Sequence, residues 1–181
     1  MKKSTILILG FFGLAIIDTL IGYIFPIDFR YIEWSVIPHF CLIGTLIYVC
    51  DKEWLNRLLI GALVGLVFDM LFTNSFPLDL LLFSVASYGI GYILPKITSK
   101  KLQCLVMIAI VFVYDSIPYV WNCLFGFDSA SFGLWFLHME LITMGLSGVT
   151  FAFLTYVEEV MSRFFLIRMY RDSKNKKEPA K

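Results

Sequence analysis

Six apolar stretches run through this sequence and constrain its fold more than any single motif does. A helix that crosses the hydrocarbon core of a bilayer needs about 20 predominantly apolar residues. Because lipid cannot hydrogen-bond to the backbone, such segments satisfy their own peptide groups by forming helices. The sequence therefore predicts an all-α, polytopic integral membrane protein with six transmembrane helices. The stretches cover residues 4–25, 34–50, 58–76, 78–94, 102–125 and 134–157.

Composition excludes a soluble globular protein of this length. Of the 181 residues, 59% are apolar and 16% are charged, whereas a soluble domain carries about 25% charged residues. The connections between the apolar stretches are short and leave no room for an extramembrane domain. We therefore predict one six-helix transmembrane domain over residues 1–160 and a basic cytoplasmic tail over residues 161–181.

The distribution of lysine and arginine predicts the orientation in the membrane. Cytoplasmic loops of membrane proteins carry an excess of these two residues. With six spans and the N-terminus inside, all of the 15 basic residues except Arg30 fall on the inner side. Both termini are therefore predicted to face the cytoplasm.

Acidic residues within the apolar stretches are the main functional candidates. Asp18, Asp69, Asp115 and Glu140 all lie at positions that the hydropathy assigns to the membrane. An ionised acid that faces lipid costs on the order of 3 kcal/mol, so we expect these side chains to point towards other helices. They would fix one helix arrangement or bind a partner helix. Ordinary interhelical hydrogen bonds and a proton relay remain open as alternatives.

The segments around two of these acids are similar to each other. IDTLIGYIFP contains Asp18 and FDMLFTNSFP contains Asp69, and in both the acid precedes a Phe-Pro pair by the same spacing. This similarity indicates a weak internal repeat based on helical hairpins.

Small and polar residues form two stripes that predict close helix packing. Gly61, Gly65 and Asp69 recur every four residues and therefore lie on one helix face. Ser84, Ser87 and Gly91 form a comparable face on the following helix. Small residues allow two helix backbones to approach closely in a membrane. We expect these faces to pack against another helix, within the chain or in a partner.

No residue pattern in the sequence indicates catalysis. His39 and His138 lie near the outer ends of their predicted helices, where an imidazole is expected at the membrane interface, and they lack zinc-ligand spacing. The four cysteines lack CxxC spacing and are expected to be apolar filler. We therefore predict no catalytic residue, no metal, no cofactor and no nucleic-acid partner.

The C-terminal segment combines basic and aromatic residues. Arg163, Arg168 and Arg171 alternate with Phe164, Phe165, Ile167 and Tyr170. Such a segment extends the last helix and contacts anionic lipid or a cytoplasmic partner, before a polar end that is expected to be disordered. A simple positive-inside anchor is the other interpretation.

The region LLIGALVGLVFDMLFTNSFPLDLLLFSVASYGIGYI resembles the signature region of the MreD family of bacterial rod shape-determining membrane proteins. A glycine-spaced helix with an acid near its end is followed by a short proline turn and an apolar helix that closes on glycines. The sequence departs from the family pattern at Asp79, where a glycine is usual. The residues that carry the resemblance are Gly61, Gly65, Asp69, Pro77, Leu78, Gly89 and Gly91.

The resemblance implies a non-enzymatic component of the cell-elongation machinery in the bacterial cytoplasmic membrane. Members of the family sit beside an MreC-like protein and help to link MreB filaments to peptidoglycan synthesis enzymes. The resemblance also implies a fold similar to that of the substrate-binding components of energy-coupling-factor transporters. Such a vitamin-binding component is the alternative function, although the short outer loops and the absence of Ala-x-x-x-Ala in the first helix disfavour it.

Overall fold

The computed structural model describes residues 3–28, 33–72, 78–126 and 131–177, and most of these residues are helical. The predicted all-α fold with six helices is confirmed in this part of the chain. A helix satisfies its backbone N–H and C=O groups within the segment, which is what an apolar environment requires. The first five helices are α1 (Lys3–Ile24), α2 (Phe40–Val49), α3 (Trp54–Phe72), α4 (Leu78–Ile93) and α5 (Lys100–Leu124).

The last helix, α6, is one continuous helix in three segments: Phe132–Trp135, the π-helical turn Phe136–Glu140, and Leu141–Lys177. A π-helical turn inserts one extra residue and is frequent at functional sites. Here its last residue is Glu140. The helix continues without a break across residue 160 and as far as Lys177, so the expectation of disorder directly after the basic and aromatic residues is wrong for this part.

Three of the helical segments are long and apolar enough to cross a membrane: Leu78–Lys96, Lys100–Leu124 and Phe132–Phe164. Shorter apolar helices cover Leu9–Ile24 and Phe40–Val49. These lengths are those expected for a protein whose surroundings are partly lipid.

Helix α2 is much shorter than predicted. The sequence predicted a span over residues 34–50, but residues 34–39 are not helical and the helix begins at Phe40. Pro38 accounts for part of the difference, because a proline disfavours helical conformation in the residue before it. The non-helical segment instead pairs with α6: the Ser35 amide donates to the His138 carbonyl (3.0 Å), and the Ile37 amide donates to Thr143 Oγ1 (3.1 Å).

Helices α1, α3, α4 and α5 agree with the predicted spans to within a few residues, and α6 begins two residues before its predicted span and continues twenty residues beyond it. Helix α3 begins at Trp54 rather than at residue 58, because the Arg57 amide already donates to the Glu53 carbonyl (3.0 Å). Hydropathy detects only apolar segments, and it misses this first turn because Asn56 and Arg57 are polar. A helix can include polar residues where it extends beyond the apolar layer.

Helix α2 lies at the centre of the fold despite its length. It contacts α1, α3, α4 and α6, and seven of its ten residues are buried. The apolar core around it includes residues of α2, α4, α5 and α6 whose side chains interlock, namely Leu42, Ile43, Leu46, Val49, Phe83, Ile90, Met107, Val111 and Phe151. A ten-residue helix spans only about 15 Å; its N-terminal end lies among other helices, whereas the residues that follow its C-terminal end, 51–53, are exposed.

Helices α3 and α4 form the closest pair in the structure. A Cβ atom added at Gly61 would lie 2.6 Å from the Phe83 carbonyl oxygen, and one added at Gly65 would lie 2.7 Å from the Leu80 Cα. Both glycines therefore face the backbone of α4, as the stripe of small residues on α3 predicted. Gly91 of α4 leaves space for the guanidinium of Arg57 in the same way.

We predict that Gly65→Ala destabilises the protein, because its methyl group would push α4 away from α3. The expected loss is about 1–3 kcal/mol, the usual cost of overpacking. Unfolding of the purified protein in detergent would measure it. The matched control is Gly89→Ala, since a Cβ atom at Gly89 meets nothing within 4 Å. Equal stability of both variants would contradict the close approach of the two helices.

Candidate functional site

Asp69 caps the helix that follows its own. Its Oδ1 accepts a hydrogen bond from the Asp79 amide (3.1 Å), and its Oδ2 accepts one from the Leu80 amide (2.7 Å). These amides belong to the first turn of α4, where N–H groups lack partners within the helix. The side chain is only 6% exposed. An aspartate in this apolar stretch therefore has an identifiable purpose: it satisfies a helix end and complements its dipole.

Asp18 makes the same arrangement at α2. Its Oδ1 accepts from the Phe40 amide and its Oδ2 accepts from the Cys41 amide, both at 2.8 Å. The carboxyl is 5% exposed. Helix α2 begins inside the bundle, where each unpaired amide would cost several kcal/mol. The two similar sequence segments thus correspond to one structural device, a carboxylate on one helix that caps the next.

Asp115 departs from this pattern. Its Oδ2 lies 2.8 Å from Nε2 of His39, the residue immediately before α2, and both side chains are buried. The sequence interpretation of His39 as an interfacial residue is therefore wrong. His39 is 6% exposed, because the non-helical segment before α2 carries it into the bundle.

Glu140 completes this cluster from α6. Its carboxyl is fully buried and lies next to that of Asp115. Among the described residues, neither of its oxygens has a hydrogen-bond partner. A buried polar group without such a partner costs free energy, so Glu140 is the least well satisfied side chain of this cluster.

A tyrosine connects this cluster to the α3–α4 pair. The Tyr114 hydroxyl donates a hydrogen bond to Asp79 Oδ1, and the Tyr114 ring packs edge-on against His39, with ring centroids 5.6 Å apart. Asp79 is also the residue whose amide bonds to Asp69. A contiguous set of polar side chains therefore runs through the bundle and joins five helices or their ends. We call it the polar network: Asp69, Asp79, Tyr114, His39, Asp115 and Glu140.

The remaining predicted residues lie around the network. Ser84 Oγ donates to the Leu80 carbonyl of its own helix (2.6 Å). Ser87 is fully buried against Gly61, and no partner of its hydroxyl is found among the described residues. Arg57, beside Gly91, donates from Nε to the Lys52 carbonyl (2.6 Å) and lies over the Tyr92 ring. These contacts favour helix packing within the chain as the role of the two stripes.

Four predicted residues stand apart from the polar network. Pro77 lies outside the described residues. Arg163 is exposed on α6. Arg168 and Arg171 lie on the same helix, and their side chains are outside the part that the structure describes.

Sequence reasoning missed three members of the polar network: His39, Asp79 and Tyr114. The sequence did mark Asp79 as unusual, because it stands where the family pattern usually has a glycine. Tyr114 directly precedes Asp115, so the two side chains leave the helix about 100° apart and reach different neighbours. The pairing of His39 with Asp115 spans 76 residues, which no local pattern indicates.

In chemical terms, the arrangement pairs the backbone and side-chain polar groups of helix ends with side chains of neighbouring helices. No group of three or more metal-ligating side chains occurs among the described residues. The four cysteines are not disulfide-bonded.

A model of the family described as rod shape-determining protein MreD matches residues 2–165 of the chain. No curated protein and no solved structure matches it. The predicted likeness to the substrate-binding components of energy-coupling-factor transporters therefore stays a prediction.

We predict that Asp18→Ala destabilises the protein by about 2 kcal/mol, because two amides at the start of α2 lose their acceptor. Asp18→Asn keeps one acceptor oxygen and should lose less. Unfolding in detergent and hydrogen exchange at Phe40 and Cys41 would measure the effect. Thr19→Val is the matched control, since Thr19 is exposed and bonds only within its own helix. Unchanged exchange in Asp18→Ala would contradict the capping role.

Glu140→Gln should leave stability nearly unchanged, because the amide has almost the same shape and the fully buried carboxyl has no hydrogen-bond partner among the described residues that the substitution would remove. Glu140→Leu should also retain the stability of the parent protein, because it replaces a buried polar group that lacks a partner by an apolar side chain. Unfolding of both variants in detergent would measure this. A loss of more than about 1 kcal/mol in Glu140→Leu alone would contradict it and would show that the Glu140 carboxyl makes a hydrogen bond.

Proposed function

The chain belongs to the MreD family of rod shape-determining proteins, and on that premise we propose that it is a non-catalytic, multi-pass component of the cell-elongation machinery. Its role in rod shape determination follows from the family. We propose further that it resides in the bacterial cytoplasmic membrane with both termini in the cytoplasm. The distribution of its basic residues supports this orientation, since all but Arg30 of the 15 fall on one side.

The polar network is the observation that carries the proposal of a scaffold. The side chains of Asp69, His39, Asp115 and Glu140 are buried and those of Asp79 and Tyr114 are half-buried, and each lies against another member of the network. The outer surfaces of the helices are apolar, with large exposed side chains such as Phe12, Tyr23, Met70 and Val85. A protein built in this way offers partners helix surfaces of fixed shape, because its polar groups are used internally.

The proposed partners are an MreC-like protein, MreB and peptidoglycan synthesis enzymes, in addition to membrane lipid. Contact with an MreC-like membrane helix would involve the apolar outer faces of the bundle, since Gly61 and Gly65 are covered by α4. The network would support such a contact by keeping the helices in one arrangement. The connection between the MreC-like protein, MreB and wall synthesis would then depend on the rigidity of this bundle.

Depletion of the protein in its rod-shaped host tests the role in elongation. We predict that the cells become round within a few generations, because wall synthesis is no longer organised along the cylinder. Microscopy of depleted cells and of cells complemented with the parent gene would measure this. Normal cell shape combined with lost vitamin uptake would contradict the proposal and favour a transport component.

Co-purification with the MreC-like partner tests the role of the network. We predict that Asp69→Leu abolishes the complex, because the start of α4 loses its cap and the α3–α4 pair is displaced. Asp69→Asn, which keeps one acceptor oxygen, should retain part of it. Leu66→Ile is the matched control on the same helix, with a side chain that is 38% exposed. A normal complex with Asp69→Leu would contradict the requirement for the network.

A further inference from the structure

A groove between α5 and α6 lies outside the polar network. It has a volume of about 360 Å³ and opens at the end of the bundle where α5 begins. Cavities of about 300 Å³ and more are large enough for small-molecule ligands. Its lining residues on α6 are Phe151, Ala152, Thr155, Tyr156 and Glu159, which form one stripe about 12 Å long. The groove is therefore elongated along the helix axis.

Polarity changes from one end of the groove to the other. The apolar end of the groove is lined by Phe151 and Ala152, and Phe151 is only 3% exposed. The charged end of the groove carries Lys100, Lys101 and Glu159. Since α5 is long and apolar enough to cross a membrane from Lys100 onward, we place the charged end at the membrane surface and the apolar end at acyl-chain depth. This gradient matches a lipid molecule, with its headgroup at the surface and one chain along α6.

The charges at the charged end of the groove determine which kind of lipid headgroup fits there. Lys100 Nζ lies 3.5 Å from Glu159 Oε1, and both side chains are more than half exposed. An exposed pair of this kind contributes little to stability, so a bound headgroup can separate it at small cost. Two lysines beside one carboxylate complement a phosphate joined to a primary ammonium. An anionic headgroup would place its charge against Glu159, with the exposed Glu158 next to it.

We propose that this groove binds phosphatidylethanolamine. The phosphate contacts Lys100 and Lys101, the ammonium donates to Glu159, and one acyl chain lies along Phe151 and Ala152. The inference is independent of the role proposed in cell elongation, since none of these residues belongs to the polar network.

Native mass spectrometry of the delipidated full chain in detergent tests the proposal. Phosphatidylethanolamine, phosphatidylcholine and phosphatidylglycerol with identical acyl chains are added in turn. The ethanolamine lipid should bind about tenfold more tightly than the choline lipid, because a quaternary ammonium cannot donate a hydrogen bond to Glu159. Equal or tighter binding of phosphatidylglycerol would overturn the proposal and identify a site for anionic lipid.

Variants of the groove make the test specific. Glu159→Gln should remove the preference for the ethanolamine lipid over the choline lipid. Lys101→Gln should weaken the binding of all three lipids. Ala152→Phe should block binding of all three by filling the acyl-chain end. Lys96→Gln is the matched control, since Lys96 is exposed at the same end of the bundle and does not line the groove. Unchanged lipid retention by Ala152→Phe would show that the lipid adsorbs elsewhere and would overturn the proposal.

Discussion

Backbone amides at the start of a helix are costly to leave unpaired inside a bilayer, and the architecture of this protein depends on how two aspartates satisfy them. Asp18 accepts from the first two amides of α2, and Asp69 accepts from two amides in the first turn of α4. In each case the acceptor comes from the preceding helix, so one interaction both caps a helix and fixes its position relative to its neighbour. Helix α2 can therefore begin among other helices and occupy the centre of the bundle.

The polar network includes the Asp69 cap and continues from it through the bundle. Asp79 bonds through its amide to Asp69 and through its carboxylate to Tyr114, which packs against His39. His39 pairs with Asp115, and Glu140 lies beside Asp115 at the end of the π-helical turn in α6. The hydrogen bonds of Asp69, Asp79, Tyr114, His39 and Asp115 are lost if the helices shift, so these contacts favour the observed arrangement of the helices over alternatives.

Sequence reasoning predicted much of the fold and part of the site. The all-α class and the six helices followed from hydropathy. The glycine stripe on α3 predicted close packing against another helix, within the chain or in a partner, and the structure places α4 against Gly61 and Gly65. The start of α2 was predicted wrongly, because it depends on Pro38 and on a carboxylate 22 residues earlier in the chain. His39 was placed at the interface for the same reason: its depth follows from the non-helical segment that precedes α2. Asp79 and Tyr114 were missed because their role depends on the hydrogen bond between them, which joins residues of two different helices.

The sequence alone determined that the chain is built from apolar helices and that its acids are expected to point towards protein. Length and hydropathy suffice for these two conclusions, because the cost of exposing a peptide group or a charge to lipid is the same in every fold. The family followed from the pattern of glycines, acid and proline between Gly61 and Gly91 and from the family model that matches residues 2–165. Only the tertiary structure decided which helix end each acid caps, which histidine pairs with Asp115, and where Glu140 finds its neighbour. Those pairings join residues up to 76 positions apart, and their energy depends on distances of about 3 Å that no local pattern encodes.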